Sequence, residues 1–226
     1  IDQVATGALL AMAVLAVAML ADSRFEPIGW VPFAAAAAGL LAVTAWLSPP
    51  AAAGAAFAGL PVIAVAAFWP GLKEPPEATL LAPFAAQVLR LPENVSAYLS
   101  TLAILGAGTA IVAGYRLWRG PTLSAPVSGF YALGAAVPPL IALVLAYLRI
   151  TQFDASIPFA LFGVLLAGGF VWVAERFLAR ETILPLPGIR LSTGAFAAGA
   201  IAALSFALVA FLSRGYMTVA FALMAL

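Results

Sequence analysis

Five arginines in this chain have types and spacing that could do chemistry. Arg116, Arg119, Arg176, Arg180 and Arg190 each flank a long apolar run. If successive runs cross a membrane, all five fall at the same face. Basic pockets between helices recognise anionic headgroups, so this face is a candidate site for lipid or polyprenyl phosphates. A second constellation concerns the backbone. Pro138 and Pro139 are adjacent inside an apolar run, with Gly129 and Gly134 before them. Proline deletes the N–H that would bond a carbonyl one turn back. Broken helices near the midplane can expose backbone groups that bind substrate or ions. Gly134, Pro138 and Pro139 therefore form a candidate broken-helix site, and proline-kinked packing is the competing reading of the same residues.

The remaining motifs say less. Asn94-Val95-Ser96 has the form of a glycosylation acceptor. Gly106-Ala107-Gly108 lies inside an apolar run and reads as helix packing. Two carboxylate pairs, Asp22 with Glu26 and Glu74 with Glu77, fall in polar, proline-rich connections and read as solvated loop residues. The chain has no Cys and no His. That excludes a disulfide framework, thiolate metal sites and a cysteine nucleophile. It also excludes His-ligated haem, the usual zinc sites and a Ser-His triad. No P-loop, HExxH or GxSxG pattern occurs. No Asp, Glu, Lys or Arg falls near the centre of an apolar run, where ionisable groups usually mark ion-coupled transport. No catalytic residue, cofactor or metal is expected. A net charge of +1 gives no footprint for nucleic acid.

These residues must be positioned by membrane helices. Hydrophobic residues make up 65% of the sequence and charged residues 8%, against roughly half and a quarter in soluble domains. Much of any folded surface must face water, so a soluble fold could not hide this much apolar surface. The charge-free runs predict an all-α integral membrane protein, a single polytopic helical bundle over 1–226. Seven full spans are expected, at 4–21, 28–47, 51–69, 95–118, 123–148, 155–177 and 191–212. Pro49-Pro50 marks a short turn between the second and third. Residues 78–91 carry Gln87 and Arg90 and read as an interfacial helix, with a packed loop as the alternative. A last run, 216–226, is too short to cross, which suggests an internal segment of a longer polypeptide. Aromatic-then-Arg ends such as Tyr115-Arg116 and Tyr147-Leu148-Arg149 suit interfacial anchoring. Positive residues divide evenly between the faces. The acid-rich face carries Arg24, Lys73, Arg90, Arg149 and Arg214, and the opposite face, with the five arginines above, is taken as cytoplasmic.

Small residues four apart let helices approach closely in lipid. Ala35 and Gly39, Ala55 and Gly59, and Ala195, Gly199 and Ala203 have this spacing. Pro61 and Pro158, like the Pro138-Pro139 pair, are expected to kink their helices.

The segments 156–161 and 173–180, with Val173-Ala174-Glu175-Arg176-Phe177, and the segments 194–199 and 213–220 resemble a large family of bacterial polytopic membrane proteins of unknown function. The resemblance implies a long chain of consecutive transmembrane helices and carries over no catalytic residue. The expected role is a multi-pass module of a larger bacterial inner-membrane protein, scaffolding or envelope-related. A lipid transporter or flippase is the first alternative, and a transferase acting on a lipid-linked donor is the second. The expected partners are membrane lipids and other membrane or envelope proteins.

Overall fold

The computed structural model describes residues 2–22, 27–69, 71–73, 91–92, 94–120, 124–152, 154–183 and 186–212. Helices α1 (Asp2–Asp22) and α2 (Pro27–Leu47) come first. A 3-10 turn, Pro49–Ala51, leads into α3 (Ala53–Phe57) and α4 (Gly59–Phe68). Two short strands, β1 (Gly71–Lys73) and β2 (Leu91–Pro92), pair antiparallel. Four long helices follow: α5 (Val95–Arg119), α6 (Ala125–Thr151), α7 (Ile157–Glu181) and α8 (Pro187–Phe211). The helical class expected from composition holds.

The expected count of seven full spans does not. Four described helices, α5 to α8, are long and apolar enough to cross a membrane. The apolar stretches Gln3–Met19, Val31–Leu47 and Ala53–Phe68 are shorter. The third expected span is also divided. Pro61 has no N–H to bond the Phe57 carbonyl, so the helix breaks one turn earlier and restarts at Gly59. Residues 78–90 and 216–226 lie outside the described residues, and Leu91 belongs to β2.

Local sequence explains the starts and stops of the long helices. The Asn94 side chain caps α5, accepting from the Ala97 N–H at 3.0 Å and the Ser96 hydroxyl at 2.9 Å. The glycosylation-like triplet is thus used as a helix cap. α6, α7 and α8 each carry proline in the first turn, where its missing N–H costs nothing. Pro158 therefore starts α7 and does not kink it. α8 begins at Pro187, four residues before the expected boundary, which puts Arg190 inside its first turn. α6 ends at Gln152 in the left-handed conformation, φ 51°, with its N–H bonding the Leu148 carbonyl at 3.1 Å.

α6 is the central helix, packed against α3, α4, α5 and α8, while α7 leans mainly on α8. Two glycine contacts seat it. A Cβ on Gly134 would collide with the Ala55 carbonyl, and Gly59 meets the Pro138 ring. Gly106 of α5 covers Pro139, with its Cβ position 3.7 Å from the Pro139 Cα. The Ala55–Gly59 stripe does pack closely, as does Gly199, which lies against the Phe170 ring at 3.1 Å. The Ala35–Gly39 stripe does not. Gly39 has nothing near its Cβ position, and α2 buries Ala34, Ala38, Leu41 and Ala45 instead. Spacing identifies a stripe of small residues, but only the neighbour's position decides which stripe faces it.

Gly134→Ala should lower stability by roughly 1–3 kcal/mol, the usual range for overpacking a tight contact. Gly168→Ala, where the Cβ position is open, should cause no loss and raise stability by up to about 1 kcal/mol, because alanine is the better helix former. Denaturation in detergent micelles followed by circular dichroism measures both; equal losses would show that the α6–α3 approach is not tight.

Candidate functional site

The four arginines near the ends of α5 and α7 come together at one end of the bundle. The Arg180 Nη1 donates to the Trp118 carbonyl at 2.7 Å, and its guanidinium carbon lies 3.2 Å from the centre of the Trp118 ring. Trp118 also meets Phe177 edge-on, with ring centres 5.6 Å apart. Arg119 stands 5.4 Å from the Tyr115 ring, and Arg176 stands 5.3 Å from the Trp172 ring. Such cation–π contacts hold a guanidinium at the level where aromatic side chains favour the membrane interface.

The five arginines differ in what they leave available. Arg116 turns inward beside Tyr131, whose hydroxyl donates to the Ala45 carbonyl. Its Nε is buried without a hydrogen-bond partner. Arg180 is committed to Trp118. Arg190 is 85% exposed and 4.0 Å from Glu181, a surface pair of little energetic weight. Arg119 and Arg176 are exposed and form no ion pair with a described residue.

Between α5 and α7, on the side away from the core, runs a groove of about 800 Å³. Ala110, Ile111 and Gly114 of α5 form one wall, and Leu165, Gly169 and Val173 of α7 form the other. Ala135 of α6 and Phe196 of α8 supply the floor. The gap exists because α7 is held by α8 and not by α5. Small residues at 110, 114, 135 and 169 keep it open. Tyr115, Trp118, Trp172 and Arg176 line its polar end. The groove is apolar along most of its length and cationic at one end, a shape the sequence did not announce.

Gly134, Pro138 and Pro139 sit elsewhere, in the packed contact of α6 with α3, α4 and α5. Of the two carboxylate pairs, Glu26, Glu74 and Glu77 lie outside the described residues.

Arg149 is the residue whose position sequence reasoning missed. Read as an anchor that snorkels to the interface, it is instead 1% exposed. Its Nη1 donates to the Ala66 carbonyl at 3.1 Å and its Nη2 donates to the Trp69 carbonyl, both at the C-terminal end of α4. The Tyr98 hydroxyl shares the Ala66 carbonyl at 2.9 Å, and the Tyr98 ring lies 5.7 Å from the guanidinium. The last carbonyls of a helix have no partners within it and carry the negative end of its dipole. A guanidinium supplies both the donors and the opposite charge. The contact spans 83 residues of chain, so no local pattern could announce it.

Compared with protein-family models, with curated proteins and with solved structures, the chain finds no match.

Arg149→Met should destabilise the bundle by roughly 2–3 kcal/mol, because it strips donors from buried carbonyls, whereas Tyr98→Phe should cost about 1 kcal/mol. Thermal melting in detergent would check the order. An Arg149→Met protein as stable as the parent would mean that the desolvation cost of the buried guanidinium cancels its bonds.

Proposed function

We propose that this chain is a multi-pass module of the bacterial inner membrane that serves a scaffolding or envelope-related role within a larger polypeptide, akin to the polytopic family it resembles. The observation that carries this reading is the packing around Pro138. A transport site built on a broken helix needs free backbone at that level, open to solvent or substrate. Here Gly134 is against the Ala55 backbone, Pro138 is against Gly59, and Pro139 is against Gly106. Glycine brings backbone to backbone at the position where a pathway would have to open. Close contact through small residues is also the usual way membrane helices associate without moving.

The charge placement supports the same reading. Among the described residues, the cations of α5, α7 and α8 sit within two turns of a helix end. They suit anchoring of a fixed bundle at a membrane face.

Purified protein reconstituted into liposomes with a fluorescent phospholipid tests this. After reduction of the outer-leaflet dye by dithionite, the protected fraction should remain near one half, as in protein-free liposomes. A protected fraction that falls well below one half in proportion to protein would establish lipid scrambling and overturn the scaffolding role.

A further inference from the structure

We infer that the groove between α5 and α7 holds one acyl chain of an anionic glycerophospholipid, with the lipid phosphate bound by Arg119 and Arg176. The inference rests on the bundle standing in a bilayer and goes beyond a scaffolding role by naming what the module binds. Three observations carry it.

The first is shape. A volume of about 800 Å³ lies within the range of true ligand sites, ~300–1,000 Å³. From Leu165 to Arg176 the groove follows eleven residues of α7, about 16 Å along the axis, so it is elongated and suits a chain. The second is the chemistry of the walls, which are apolar until they reach Tyr115, Trp172 and Arg176. The third is charge. Trp118 meets Phe177 edge-on at the polar end of the groove, where Tyr115 and Trp172 also line it. Arg119 and Arg176 stand over those two rings, exposed and in no ion pair with a described residue. A guanidinium matches phosphate geometry through paired N–H donors. Arg176 is the charged residue in the groove lining, and Arg119 stands beside it over Tyr115, which also lines it. Arg116 turns inward beside Tyr131, Arg180 is held by the Trp118 carbonyl and ring, and Arg190 stands on α8 facing Glu181, which leaves Arg119 and Arg176 over the rings of α5 and α7 as the two ligating residues.

Two glycines provide a control. Gly168 and Gly169 are adjacent on α7, and both have open space at the Cβ position. Only Gly169 lines the groove. A Cβ meets nothing at either position, so a larger side chain can start from both, and only from Gly169 does it enter the groove.

The test uses the full chain in nanodiscs of mixed phosphatidylglycerol and phosphatidylcholine, released into mild detergent and analysed by native mass spectrometry. Wild type should retain one phosphatidylglycerol in preference to phosphatidylcholine. Arg119→Gln and Arg176→Gln should each weaken that preference about fivefold, from ~1 kcal/mol per basic residue at an anionic surface. Gly169→Leu should lose the bound lipid, and Gly168→Leu should keep it. Equal retention of the two lipids by wild type, undiminished phosphatidylglycerol in the double glutamine variant, or equal behaviour of the two leucine variants would overturn the inference. So would a wild-type dimer without bound lipid, which would mean that a second copy fills the groove. Lipid scrambling by a protein that still retains phosphatidylglycerol would overturn the scaffolding role and leave this site standing.

Discussion

Gly134 lays the backbone of α6 against the Ala55 carbonyl, and Gly59 accepts the ring of Pro138. The rest of the bundle is arranged around this approach. Inside a membrane the hydrophobic effect gives helices little reason to associate, and van der Waals contact must do so. A side chain at either glycine would push α6 away from the interrupted α3–α4 segment. α5 and α8 pack on α6 in turn, and α7 is carried by α8. The groove follows from that order, because α7 is fixed at one remove from α5.

Two aromatic clusters occupy the two ends of this arrangement. At one end Tyr147 meets Phe159 and Phe206 edge-on, and Trp69 meets Tyr98. At the other, Phe177 stacks on Phe196 and is met edge-on by Trp118. An arginine stands near each, with opposite consequences. Arg149 is enclosed and spends its donors on the end of α4. Arg176, over the Trp172 ring, is exposed and forms no ion pair with a described residue. The same residue type is an internal clamp in one place and an exposed cation over an aromatic ring in the other. The difference is what each helix end finds within reach: unpaired helix carbonyls for Arg149, an exposed ring at the membrane face for Arg176.

The proline-rich elements show how position governs effect. Pro158 and Pro187 fall in first turns, where a missing N–H is harmless. Pro61 falls far enough in to divide a helix. Pro138 and Pro139 fall mid-helix, and α6 continues through them with glycine on the facing helices. A side-chain-free surface opposite the rings makes such a pair tolerable.

Much of the architecture was legible in the sequence. Uninterrupted apolar runs placed the four long helices to within a few residues, because hydrocarbon forces the backbone to satisfy itself within each run. Asn94 and the first-turn prolines marked helix starts by local chemistry alone. The gathering of four arginines at one end followed from run parity. Composition could not say that the third run is divided at Ala58, nor which face of α2 is buried. It could not separate Arg149 from Arg176, since both follow an aromatic residue near a helix end. Those distinctions depend on which backbone or ring another helix, tens of residues away, brings alongside. The groove is the clearest case: its walls are ordinary membrane-helix residues, and only the tertiary separation of α5 from α7 turns them into a site.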